Sequence, residues 1–382
     1  MIKKKINNEH YLIVGLIVSS FLLRLVSVYF VRDFNFDHEW GILLNNLIKY
    51  KSYSFYNFNG QLIPSAYMPP LYPFFLYFIN IITSFEKTNL LYSIFFIQIV
   101  LSTYSVYFFY QINKNFFSKR LSIINSIIFS LIPLNLYVCG QVSSINLQVF
   151  LSLLFLNIFL IMIKNKKNKD IIFFSIASGL LILIRGEFIL IFFLILLFAI
   201  WKNKIELINL TKIIAVVIII ISPYVVRNYM VFNEIVIVKS LGFNLWKGNN
   251  QKSYVGGSNF HIPTKIDEIY LWKNLKEPEW QNMKKKLLEI EINRHYEINR
   301  DKIFLEEAKN NLFNNPGRYT NLFFKKLFSY YFIDFKSNYP NYYNFFHFFP
   351  ILILGMISFP GLIMAVKKNN FELNILLLYL ST

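Results

Sequence analysis

The sequence holds one cysteine, Cys139, so an intrachain disulfide is excluded and any redox compartment is compatible. Acidic residues are few: 21 Asp and Glu stand against 39 Lys and Arg, a formal net charge of +18. Charge as a whole is thin at 16%, whereas 55% of residues are hydrophobic and 19% aromatic. That balance excludes an ordinary water-soluble domain and fits a protein dissolved in a bilayer. There is no nucleic-acid motif and no basic groove interleaved with aromatics, so nucleic acid is excluded as the reason for the positive charge.

What is present is a series of apolar blocks near twenty residues long. They fall at about 11–31, 69–85, 90–111, 121–138, 145–163, 171–184, 188–201, 213–227, 343–366 and 371–380. The basic residues sit in the short links between them: Lys3 to Lys5, Lys114 with Lys119 and Arg120, Lys164 to Lys169, Lys202 with Lys204 and Lys212, and Lys367 with Lys368. Lys and Arg resist translocation, so these links mark one cytoplasmic face. The first run is too long for a signal h-region and meets Arg32 and Asp33 without a small-residue cleavage site, so it is expected to remain as an anchor.

Parity then decides which runs cross. With the N-terminus inside, counting 69–85 as a span would put the links at 112–120 and 164–169 outside. Skipping it places every basic link inside. That run opens Pro69-Pro70-Leu71-Tyr72-Pro73, a poor start for a helix at bilayer depth, and its aromatics suit the outer interface. A tilted span with an unusual charge pattern is the alternative. The expected architecture is an all-α polytopic membrane protein of about nine transmembrane helices. Residues 1–227 form a transmembrane core carrying a first outer loop, 32–89, with juxtamembrane helices. Residues 228–342 form a mixed extracytoplasmic segment, and 343–382 the C-terminal transmembrane helices.

Candidate chemistry must come from the outer segments. The first loop opens Arg32-Asp33-Phe34-Asn35-Phe36-Asp37-His38-Glu39-Trp40 and continues as an amphipathic helix from Trp40 to Lys49. Carboxylates at such a surface are ordinarily just solvated, but Asp37 falls where the helix starts, a position suited to capping or to a fixed orientation. Asp37, His38 and Glu39 are adjacent, and neighbours on a helix diverge by about 100°, so they do not form a metal site and no cofactor is expected. Arg227 emerges from the run at 213–227 at headgroup depth, where a guanidinium either snorkels to any phospholipid or forks onto one particular phosphate. Arg24 inside the first run and Arg185-Gly186-Glu187 between two others are charges that face protein or a wet cavity.

These landmarks together resemble the family 39-type membrane glycosyltransferases of the GT-C fold, which include lipid A and glycan transferases and the protein O-mannosyltransferases. The resemblance runs over nearly the whole chain. It rests on Arg24, Asp37, the Pro69–Pro73 run, Arg185, Pro223-Tyr224-Val225-Val226-Arg227-Asn228, and Gly242-Phe243-Asn244-Leu245-Trp246-Lys247-Gly248-Asn249. It implies an active site at the extracytoplasmic face of a bacterial inner membrane, Asp37 as catalytic base, and a polyprenyl-phosphate sugar as donor. The acceptor would be a lipid, glycan or protein.

Substrate contacts implied are Arg227 and Arg185 on the carrier phosphate, with Asn228, Glu39, Tyr67, Trp246 and Asn249 around the site. Two departures stand out. Asn146 occupies the place where family members often carry a second carboxylate, and Met68 with Pro69 the place where some carry a lysine. Asp37 would deprotonate an acceptor hydroxyl attacking opposite the phosphate, which inverts the anomeric centre. A lipid-linked glycan flippase is the rival of another class, although no internal repeat supports it. A glycan ligase or polymerase shares the carrier chemistry.

Overall fold

In the computed structural model the described residues are all but 1, 37, 59, 84–85, 257–272, 274–275, 338–341, 369–373 and 376–382. The chain divides into two units, one of residues 1–36, 70–223 and 362–382, the other of 37–69 and 224–361.

The first unit is helical. It contains α1 (Ile2–Val31), α3 (Leu71–Ile82), α4 (Lys87–Asn113), α5 (Lys119–Leu131), α6 (Pro133–Tyr137), α7 (Ile145–Asn165), α8 (Asn168–Ile184), α9 (Phe188–Trp201) and most of α10 (Leu207–Phe232). Among the described residues four helices are long and apolar enough to cross a membrane: Glu9–Val31, Lys87–Asn113, Ile145–Asn165 and Leu207–Phe232. The pair Lys119–Leu131 and Pro133–Gly140, bent by 58°, is either a broken fifth span or a re-entrant loop. The break falls at Pro133, which offers no N–H to continue the ladder. At 12 residues α3 is about 18 Å long, short of a bilayer core of about 30 Å.

Small hydroxyl residues let the helices approach. Ser105, Ser122, Ser126, Ser175 and Ser178 are buried, and each returns its hydroxyl to the carbonyl four residues back. Their polarity is thus satisfied inside their own helix while their small volume lets α4 pack on α5 and α7, and α7 on α8.

The second unit contains α2 (Glu39–Tyr50), a hairpin of β1 (Ser54–Phe58) and β2 (Gln61–Pro64), α11 (Leu241–Gly248), α12 (Gln281–Leu288), α13 (Tyr296–Asn314), α14 (Pro316–Tyr331) and most of α15 (Phe345–Lys368). The amphipathic helix expected over Trp40–Lys49 is α2, with Leu43, Leu44 and Leu47 buried. His38 occupies its N-cap position, and Lys51 ends it in the left-handed region at φ 54°. The strands pair antiparallel with Tyr56 opposite Ile63 and Phe58 opposite Gln61, around Gly60 at φ 91°. The core is aromatic: Phe243 and Trp246 of α11 meet Phe304 and Ala308 of α13, closed by Trp280, Met283 and Leu287.

Candidate functional site

Within the second unit, the segment from Tyr53 to Tyr67 is held from two sides. On one side stands Arg227. Its Nη1 donates to the Ser65 carbonyl and to Asn228 Oδ1, each at 2.8 Å, and Nη2 donates to the Tyr53 carbonyl at 3.3 Å. Three of the five guanidinium N–H groups are engaged in this way. The cation lies 5.3 Å from the Phe232 ring centroid and 5.5 Å from that of Tyr53, so aromatic faces share its charge. Asn228 is fully buried and donates from Nδ2 to the Val236 carbonyl at 2.7 Å. It orients the guanidinium through its amide oxygen and secures the chain leaving α10 through its nitrogen. Burial pushes the Tyr53 phenol well above its ordinary pKa, so it remains a donor to the Met68 and Pro69 carbonyls at 2.9 and 3.2 Å.

On the other side stands α13. Glu297 Oε2 accepts from Ala66 N at 2.8 Å, Tyr67 N at 3.1 Å and Ser65 Oγ at 3.1 Å. Asp301 accepts the amides of Gly242 and Phe243 at 3.1 and 2.9 Å, filling the first turn of α11 with a carboxylate where the helix dipole favours one. Arg300 lies between them, bonded to the Tyr56 hydroxyl and stacked over the Tyr56 and Tyr67 rings at 4.9 and 5.3 Å. All three side chains are buried.

Of the sequence-derived candidates, Arg227 and Asn228 are in direct contact. Tyr67 is half-buried against Phe55, Phe243 and Arg300. Trp246 exposes 0% of its surface and packs on Trp280 and Phe304. Asn249 is half-buried and bonds the Leu245 carbonyl at 2.9 Å, finishing α11. Glu39 opens α2 half-exposed. Asp37 lies outside the described residues.

Arg185 belongs to the first unit. It ends α8, donates from Nε to Gln148 at 3.0 Å, and stands 3.8 Å from Glu187 with 40% of its side chain exposed. Arg24 is buried among hydroxyls, bonded to Ser20, Ser102 and Ser130. The start of the first loop is fixed nearby. Asp33 N donates to the Gly140 carbonyl at 2.9 Å, Gln141 Nε2 to the Val31 carbonyl at 2.9 Å, and Gln98 Nε2 to the Gln141 carbonyl at 2.9 Å. A Cβ on Gly140 would stand 3.0 Å from the Arg32 Cα, tighter than an ordinary contact, so a larger residue would push the two backbones apart by a few tenths of an ångström. Asn146, in the place of the second carboxylate, is buried. Among the described residues no three His, Cys, Asp or Glu side chains converge as a metal site.

Glu297, Arg300 and Asp301 were not candidates from sequence. A signal existed: Glu297, Asp301, Phe304, Ala308 and Asn311 recur at helical spacing and are all buried, so two carboxylates share the apolar face.

Residues 68–226 match the family model described as dolichyl-phosphate-mannose-protein mannosyltransferase. No curated protein matches the chain in sequence. Solved structures of the oligosaccharyltransferase AglB from Archaeoglobus fulgidus do match it in fold. The form tethered to an acceptor peptide containing the NVT sequon gives a TM-score of 0.55 at 13% identity, covering 96% of this chain and 46% of that one. The complex with an inhibitory peptide and a dolichol-phosphate gives 0.54 at 15% identity, covering 97% and 46%. The chain therefore spans about half the length of the structures it matches. Both similarities are to glycosyltransferases, and the chain has the GT-C membrane fold.

Proposed function

We propose that this GT-C-fold chain is a membrane glycosyltransferase that moves a sugar from a polyprenyl-phosphate carrier to a lipid, glycan or protein acceptor, at the extracytoplasmic face of a bacterial inner membrane. The observation that carries the reading is the family match over 68–226, which ends one residue before Arg227. The fold shared with a solved oligosaccharyltransferase over nearly the whole chain supports it. In domain terms, 1–227 is the transferase core with its outer loop 32–89, 228–342 the extracytoplasmic segment, and 343–382 the closing transmembrane part.

A sugar on a phosphate carrier has a leaving group that needs its charge stabilised more than it needs a proton. Asp37 takes the proton of the acceptor hydroxyl as that oxygen bonds to the anomeric carbon. The bond from that carbon to the phosphate oxygen breaks on the opposite side, its electron pair leaves with the carrier phosphate, and the configuration inverts. Arg227 offers its two unengaged N–H groups to the phosphate, a preorganised contribution of about 3–4 kcal/mol, and Arg185 adds a second cation. Asn228 holds the Arg227 fork in plane. Glu39, Tyr67 and Asn249 serve the sugar or the acceptor, and Trp246 serves them from within the core, as backing for α11.

The test is transfer of labelled sugar from a polyprenyl-phosphate donor in membranes containing the full chain. Asp37→Asn keeps the size of the side chain but removes the base, so turnover falls by at least about 100-fold. Asp33→Asn is the acidic control, a neighbouring carboxylate given no role in the site, and it retains most of the rate. Arg227→Ala loses transfer while the protein stays inserted, and Arg227→Lys recovers only part because a point charge replaces a fork. A near-normal rate for Asp37→Asn removes it from the role, and normal transfer by Arg227→Ala leaves that residue a purely structural tie between 53 and 65.

A further inference from the structure

One edge of α14 is tied to the second unit. Tyr319 and Leu322 are buried, Lys326 donates from Nζ to the Gly248 carbonyl at 2.6 Å, and Arg318 Nη2 donates to the Gln251 carbonyl at 2.6 Å. Away from that edge Phe324, Leu327 and Phe328 face outward, and Phe323 and Tyr330 flank it, each of the five between 43% and 70% exposed. Sixteen residues make about 24 Å of helix, and Arg318, Lys325 and Lys326 interrupt the run, so α14 does not cross a bilayer. A helix with cations along one border and exposed aromatics beyond it has the form of one lying in the membrane interface.

Beside α14 is a cavity of about 700 Å3, entirely within the second unit. Leu322 and Ile333 are its buried floor and Phe324 and Phe328 its apolar sides, while Arg318, Lys325 and Lys336 stand at its rim. Neither Lys325 nor Lys336 forms an ion pair among the described residues. Among the described lining residues one carboxylate is present, Asp334, 8% exposed and accepting from the Lys336 backbone amide at 3.0 Å. Three cations against one carboxylate leave the cavity net positive. Its far wall is tied to the apolar helix that follows: Tyr343 donates its hydroxyl to the Asp334 carbonyl at 2.9 Å, two residues before α15 begins.

We propose that this cavity binds an anionic phospholipid of the bilayer, with its phosphate between Lys325 and Lys336 and an acyl chain along Phe324 and Phe328. A zwitterionic lipid carries the same phosphate, but its own cation is repelled by the net positive rim, so the site selects for net negative headgroups. None of the hydrogen-bond partners given above for Arg227 and Glu297 is among its described lining residues, so the proposal does not depend on the donor contacts proposed above.

The experiment is native mass spectrometry of the purified full chain, exchanged into equimolar phosphatidylglycerol and phosphatidylcholine. Its readout is retained lipid, independent of sugar transfer. Wild type retains phosphatidylglycerol preferentially. The Lys325→Gln/Lys336→Gln variant loses that preference by about fivefold per lysine removed. The Lys325→Arg/Lys336→Arg variant, which conserves charge at two exposed positions, keeps it. Equal retention of the two lipids by wild type, or undiminished preference in the glutamine variant, overturns the proposal. So does loss of the retained phosphatidylglycerol to equimolar polyprenyl phosphate, which would make this a carrier site.

Discussion

Glu297 Oε2 accepts the backbone N–H of Ala66 at 2.8 Å, joining residues 231 apart in the chain, and the same oxygen takes Tyr67 N and Ser65 Oγ. Three donors converge on one buried carboxylate oxygen, so the conformation of 65–67 depends on its charge. Glu297→Gln keeps one oxygen for those donors but removes the negative charge that strengthens all three bonds. The expected cost is about 3 kcal/mol, on the scale of a buried charge-assisted hydrogen bond. Thermal melting in detergent together with proteolysis of the 53–67 segment reads it. A variant that melts like wild type and stays protected there contradicts the role.

Gly242 makes the backbone contact between α11 and α13 possible. A Cβ there would stand 2.0 Å from the Asp301 carbonyl oxygen and 2.9 Å from Leu305 N, both backbone atoms that do not yield. Gly242→Ala is therefore expected to separate the two helices and cost more than the usual 1–3 kcal/mol or so of overpacking. Gly317→Ala is the matched control, since nothing lies within 4 Å of its Cβ position. Yield of folded protein by size-exclusion chromatography separates them, and equal yields would mean the contact yields after all.

How much of this was readable beforehand differs by kind of feature. The long helices of the first unit were visible as apolar runs because lipid-facing and core-facing positions are both apolar, whereas α11 to α14 fall in a stretch read only as a mixed outer segment. The helix α2 was readable from its amphipathic spacing. Arg227 was placed at the end of α10, but its partners were not: the carbonyls of Tyr53 and Ser65 belong to backbone, and backbone acceptors leave no trace in side-chain identity. Glu297, Arg300 and Asp301 sat in a polar stretch whose charges resemble a solvated face, although their partners lie at 56, 65–67 and 242–243. The hairpin at 54–64 went unread although the sequence offers the turn dipeptide Asn59-Gly60 between two apolar stretches.

Acid sensitivity follows from Glu234, which bonds Lys302 at 2.6 Å and Lys239 at 2.9 Å. Partial burial raises its pKa, but the hydrogen bonds and charges of the two lysines outweigh that and hold it below the ordinary carboxylate value. A depressed carboxylate contributes stability above its unfolded pKa and loses it as pH falls through the folded one. The difference in Tm between wild type and Glu234→Gln is therefore expected to be full near neutrality and to shrink below about pH 4. Salt should shrink it too. A difference that persists unchanged at pH 3 would assign the effect to packing instead.

The orientation of the chain is open to a labelling test that the structure sharpens. Cys139 is fully buried, so Cys139→Ser provides a background without a competing thiol. Phe117, 49% exposed and beside Lys119 and Arg120, reports the basic link between α4 and α5. Gln61 and Asn244 are exposed and report the first loop and the segment after α10. Asn250 would be a poor reporter, being buried and bonded to Ser253, and Gly60 at φ 91° would strain any side chain. If the basic links face the cytoplasm, a membrane-impermeant maleimide labels cysteine at 61 and 244 in intact cells and reaches 117 only after permeabilisation. Labelling at 117 from outside would require α3, with its Pro69–Pro73 start, to be part of a crossing, and would put the links at 112–120 and 164–169 on the outer face. Protection of 61 and 244 with 117 still inside would place the first loop and Arg227 in the cytoplasm, and an extracytoplasmic transfer site would then be wrong.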